Sequence, residues 1–129
     1  MFFFIMGFAL CLLFVQARNA EGLTNTQQAA DTIVRYTAEA RAIIDQKCYG
    51  CHNPEAKNEK AKQKLQWDDL PKNSKQKQLK AVNDILEVLA EGSMPPEKFL
   101  QFKPEAKLTE TEISALTAWA EENAKRLNQ

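Results

Sequence analysis

The chain has 129 residues, and 17 Lys plus Arg are balanced by 17 Asp plus Glu, so no basic excess points to a nucleic-acid partner. With 44% hydrophobic and 26% charged residues it has the composition of a globular protein rather than a disordered or fibrous one. The length suits one domain, whose core is small enough to gain from a large buried cofactor.

Phe2 to Val15 is an uncharged, almost wholly apolar run of 14 residues, signal-peptide length and short for a bilayer span. Val15 and Ala17 are the small residues that precede a cleavage site, so cleavage is expected after Ala17, with Arg18 as the mature start. No Lys or Arg precedes the run, which leaves an uncleaved membrane anchor as the alternative. Cys11 lies inside this leader behind a bulky Leu10, a poor lipoprotein site. The division expected is a leader over residues 1–17, a polar segment over 18–30 and one domain over 31–127. Export implies a periplasmic or equivalent oxidising compartment.

A helical pattern begins near Thr26 and puts Ile33, Tyr36, Ala40, Ile43 and Ile44 on one face, delivering Cys48 at its end. From Asn53 to Ser74 the pattern dissolves into a Lys-rich loop with room for one short helical turn; so long a loop fits a segment wrapped around a cofactor. A second helix is expected from about Lys75 to Glu91, with Leu79, Val82, Ile85, Leu86 and Leu89 facing inward and Gly92 as a left-handed cap. A third opens at Thr109, where Thr109 and Glu112 form a capping box and Leu108 can staple onto Ile113. Ile113, Leu116, Ala120 and Leu127 continue its face, with Trp119 beside it. No stretch alternates like a strand, so the domain is expected to be all-α.

Cys48-Tyr49-Gly50-Cys51-His52 is a Cys-x-x-Cys-His run. Two thiols three positions apart on a helical turn can add across the two vinyl groups of a porphyrin, and the His after the second Cys then lies under the iron. A thioredoxin-like pair would sit in a βαβ context, which is missing, and a structural zinc site needs four ligands where the mature chain offers two Cys and one His. His52 is the only histidine, so a second His ligand from this chain is excluded, as is a second haem of the same kind. Met1 and Met6 lie in the leader, which makes Met94 the one thioether available to the iron from the opposite side. It stands after a helix cap and before Pro95 and Pro96, whose fixed φ angles stiffen the loop that presents it. A gap-filling core Met, a Lys ligand and a vacant sixth position are the alternatives.

These residues, with Leu65-Gln66-Trp67, Gly92-Ser93-Met94-Pro95-Pro96 and Pro104-Glu105-Ala106-Lys107-Leu108 before the last helix, resemble a family of small bacterial haem-binding domains, exported single-haem c-type cytochromes. The resemblance spans about Ala38 to Lys125. It implies an all-α, cytochrome c-like fold of class I type, with three main helices and a long loop around one covalently attached haem c, His52 and Met94 as axial ligands, and electron transfer. After the haem His the family pattern runs Ser-Asn into a Trp- and Tyr-rich segment, where this chain has Asn53-Pro54-Glu55-Ala56-Lys57. Lys103 stands where the family has His. Both departures concern the cover over the haem edge and the partner, not the ligands.

Trp67 is expected either to pack on the porphyrin with its indole N–H toward a propionate or to be an ordinary core Trp, and Trp119 to pack the last helix on the first. Tyr49 is expected to be half exposed with no chemistry of its own. Between Lys57 and Lys80 eight Lys face three acidic residues, a locally basic stretch that would steer an acidic redox partner or simply be solvated. The expected function is one-electron transfer between two periplasmic redox proteins by a monomer, without substrate chemistry. A gas sensor or peroxidase-like protein with an open sixth site is the alternative, and a structural haem module in a membrane complex a third.

Overall fold

The computed structural model describes residues 33–129, so the leader, its cleavage point, Cys11 and the polar segment before residue 31 lie outside the described residues. Among the described residues there are five α-helices, α1 (Ala38–Lys47), α2 (Glu59–Lys64), α3 (Lys75–Glu91), α4 (Glu97–Leu100) and α5 (Glu110–Leu127). Two 3-10 turns, Leu70–Lys72 and Pro104–Ala106, complete the secondary structure, and there is no strand. The fold is all-α, with three long helices carrying the core, as expected. No helix among these residues is long and apolar enough to cross a membrane.

The first helix departs from its expected start. It begins at Ala38 rather than near Thr26, because the Thr37 hydroxyl accepts the Ala40 N–H at 3.1 Å and caps it there. Residues 26–32 lie outside the description, but Val34 to Thr37 is irregular backbone, and the polar groups of Val34 and Arg35 are claimed by side chains of other helices. Val34 N–H donates to Gln78 Oε1 at 2.6 Å, and Arg35 N–H to Asn123 Oδ1 at 2.8 Å. The Arg35 carbonyl accepts from Trp119 Nε1 at 2.7 Å and from Asn123 Nδ2 at 3.1 Å. Outside a helix the side chains here do not follow the helical period, so Val34 is buried while Ile33, placed inward by the helical reading, is 43% exposed. Gln78 and Asn123, both buried, were not singled out from the sequence. They are buried because the backbone of residues 34–35 satisfies them.

The second and third long helices lie where their patterns put them. In α3, Val82, Ile85 and Leu89 are buried and Leu79 and Leu86 pack against the core from its edge. The helix ends in a Schellman motif: Gly92 N–H donates to the Leu89 carbonyl at 3.3 Å, and Ser93 N–H to Val88 at 3.1 Å. Gly92 has φ 63°, and an added Cβ would meet nothing within 4 Å, so its cost is backbone strain alone. Gly92→Ala is therefore expected to lower unfolding free energy by about 1–2 kcal/mol, read as a lower denaturant midpoint at unchanged slope.

At α5 the capping box is complete: Glu112 N–H donates to Thr109 Oγ at 3.2 Å, and Thr109 N–H to Glu112 Oε2 at 2.8 Å. That backbone bond, aided by Lys47 at 3.7 Å, holds the Glu112 carboxyl below the ordinary glutamate range. A depressed folded-state pKa contributes stability above the unfolded pKa and loses it as pH falls through the folded one. Wild type is thus expected to exceed Glu112→Gln in stability at neutral pH, the gap closing on acidification, measured by denaturant midpoints of both proteins across the carboxylate range.

The most extensive packing is between α3 and α5, and α1 packs on α5. Ile44, Val82 and Ala120 are completely buried at that junction. Trp119 stacks on Tyr36 with ring centres 5.6 Å apart, and Trp67 meets Trp119 at 6.1 Å. The last helix is thus fastened to the irregular segment before α1 as well as to α1. Within 53–74 the structure has α2, capped by Asn58, and the 3-10 turn at Leu70, where one short turn was expected.

Candidate functional site

Helix α1 ends at Cys48, whose N–H still bonds to the Ile44 carbonyl. The chain then makes one more tight turn, with Cys51 N–H and His52 N–H both donating to the Cys48 carbonyl at 3.2 Å. Because the turn continues the helical path, both sulfurs and the imidazole reach one wall. The two cysteines are half-buried and not joined to each other. Burial, with smaller contributions from Cys51 and Glu112, pushes the Cys48 thiol up to about 11. A thiol kept protonated at neutral pH is the reverse of the low-pKa nucleophile a thioredoxin-like pair needs.

His52 Nδ1 lies 3.1 Å from the carbonyl oxygens of both Ala61 and Leu65. Carbonyls only accept, so Nδ1 is the donor, and in the neutral imidazole Nε2 is then the nitrogen with the lone pair. That is the tautomer and the outer hydrogen bonding typical of a metal-ligating histidine. Trp67 N–H closes the loop by donating to the His52 carbonyl at 3.2 Å.

Beside this turn lies a cavity of about 410 Å³ lined by Cys48, Cys51, His52, Trp67 and Met94 together. Every site residue singled out from the sequence faces it, although they come from an attachment turn, a loop and the segment after α3. Ile85, Leu89, Phe99, Leu108 and Leu116 supply apolar walls, with Lys64, Lys80, Asp84 and Glu87 also on its lining. Its size lies in the range of about 300–1,000 Å³ for small-molecule and cofactor sites. Phe99, from α4, was missed; Pro95-Pro96 ahead of Glu97 was the available start signal for that short helix.

The residues fit a haem. Trp67 is 4% exposed, and its indole N–H is buried without a hydrogen-bond partner among the described residues. Such an orphan costs about 1–3 kcal/mol unless something accepts it, and a carboxylate on a group filling the cavity would do so. Met94 is 41% exposed, just beyond the Gly92 cap.

Neither the curated proteins nor the solved structures offer a match to this chain. A family model described as a haem-binding domain matches residues 55–122, just over half of the chain. The matched stretch contains Trp67 and Met94 but begins after His52, so the family and the Cys-x-x-Cys-His run point to the same cofactor from different residues. The chain belongs to the haem-binding domain family and is a haem protein.

Proposed function

We propose that the protein is a monomeric single-haem c-type cytochrome that passes one electron at a time between two periplasmic redox proteins and is not an enzyme. Haem bound in this cavity supplies a one-electron Fe(II)/Fe(III) couple. Cys48 and Cys51 would hold it by thioether bonds, and His52 Nε2 and the Met94 sulfur would ligate its iron. The unpartnered Trp67 Nε1 would donate to a propionate. The observation that carries the reading is that His52 spends Nδ1 on two backbone carbonyls, which leaves Nε2 as its ligating nitrogen, and lines one cavity with both cysteines and Met94. A thioether opposite a His raises the potential and blocks the iron to small ligands, which suits a carrier.

The apolar wall from α3, α4 and α5 excludes water and so favours the less charged, reduced state. Lys64 and Lys80 line the cavity, which supports steering of an acidic partner, although Lys62, Lys72 and Lys80 are each paired with a nearby carboxylate. A partner's electron-transfer rate should then fall with salt; a flat profile removes the steering idea.

Expression with haem-attachment machinery, followed by intact mass and a pyridine haemochrome spectrum, tests the reading. A mature chain plus one haem that resists acid extraction is the expected result, and a mass without haem overturns it. The exposure of Met94 favours one second reading, a sensor or peroxidase-like protein with a labile sixth ligand. Rapid carbon monoxide binding by the reduced wild type would select it.

A further inference from the structure

Tyr49 stands between the two cysteines, where haem attachment asks nothing of the side chain. Its hydroxyl donates to Asp68 Oδ2 at 2.6 Å, and its carbonyl accepts from Asn53 Nδ2 at 2.6 Å. Tyr36 Oη donates to the neighbouring Trp67 carbonyl at 2.9 Å. The Arg41 guanidinium lies over both rings, 5.6 Å from the centre of Tyr36 and 5.4 Å from that of Tyr49, and is held there by Asp45 at 2.8 Å. Two tyrosines on the α1 side thus fasten two consecutive residues of the loop that follows the attachment turn.

That loop is the one that sets His52. It offers the Ala61 and Leu65 carbonyls to Nδ1, and the Trp67 N–H to the His52 carbonyl. We propose that the Tyr49–Asp68 bond, backed by Arg41 and Tyr36, is an outer strap that positions the His52 imidazole and sets the strength of its Nδ1 hydrogen bonding, making Tyr49 and Asp68 positioning residues for the iron ligand. This rests on the haem reading above. Firm donation from Nδ1 makes the imidazole more basic and favours the oxidised iron, so loosening the strap shifts the couple toward the reduced form.

The test uses the full haem-loaded protein with Tyr49→Phe, Asp68→Ala, their double variant, and Asp68→Asn, which keeps an oxygen acceptor. Tyr49→Phe and Asp68→Ala should each move the equilibrium two- to threefold toward the reduced form, about 20–30 mV upward for a one-electron couple. The double variant should shift no further than either single one, because both break the same bond. Asp68→Asn should restore most of the wild-type potential. Amide exchange at Trp67 should speed up several-fold in Tyr49→Phe, with the α5 core amides unchanged. An unchanged potential in fully loaded Tyr49→Phe, or shifts that add in the double variant, overturns the strap. If wild type holds haem without thioether bonds, the functional reading fails, yet Trp67 exchange still decides the strap: unchanged protection refutes it.

Discussion

Met94→Ala is expected to leave the haem attached, to let the reduced protein bind carbon monoxide rapidly, and to lower the midpoint potential by on the order of 100 mV, within the ~0.8 V that axial ligands span. Met94 follows the Schellman cap on Gly92 and lines the cavity with His52. It is exposed enough that its removal leaves no buried void to collapse the fold. Under the proposed ligation, loss of the thioether removes the soft ligand that favours Fe(II) and opens a coordination position. Mixing the dithionite-reduced variant with carbon monoxide, alongside a redox titration, reads both effects. Equal carbon monoxide rates in wild type and variant would show that Met94 does not hold the iron.

The second large effect is expected at the cysteines. Cys48→Ala/Cys51→Ala should lose all acid-resistant haem, and its intact mass should be that of the bare chain. Each single variant should keep one thioether bond, because both sulfurs face the cavity from the same helical turn. Haem that remained after acid extraction of the double variant would contradict covalent attachment through this pair. The double variant should also be less stable in the presence of haem, since a ligand held only by affinity stabilises with the logarithm of its concentration over its dissociation constant.

Much of this architecture could be read from the chain because it rests on local chemistry. The α5 start required only Thr109 and Glu112 three residues apart, and the α3 end required only Gly92 in the one conformation that glycine adopts freely. The identity of the candidate ligands followed from counting, since one His and one thioether lie beyond residue 17. The start of α1 was not legible, because Val34 and Arg35 are drawn out of a helix by Gln78 and Asn123, residues 44 and 88 positions away. A helical period in Ile33, Tyr36 and Ala40 carries no information about a buried amide on another helix.

The site divides the same way. Cys48, Cys51, His52 and Met94 stand out as candidates in the sequence, since their chemical types and spacing admit few uses. The tertiary structure alone decided how His52 is presented. Its Nδ1 partners are backbone carbonyls of Ala61 and Leu65, which have no side-chain signature, and the loop carrying them is held by Tyr49 through Asp68. It also shows that Trp67 lines the cavity and that its buried indole N–H has no partner among the described residues. Backbone acceptors and unmet donors depend on where distant segments meet, and no pattern of residue types along the chain records that.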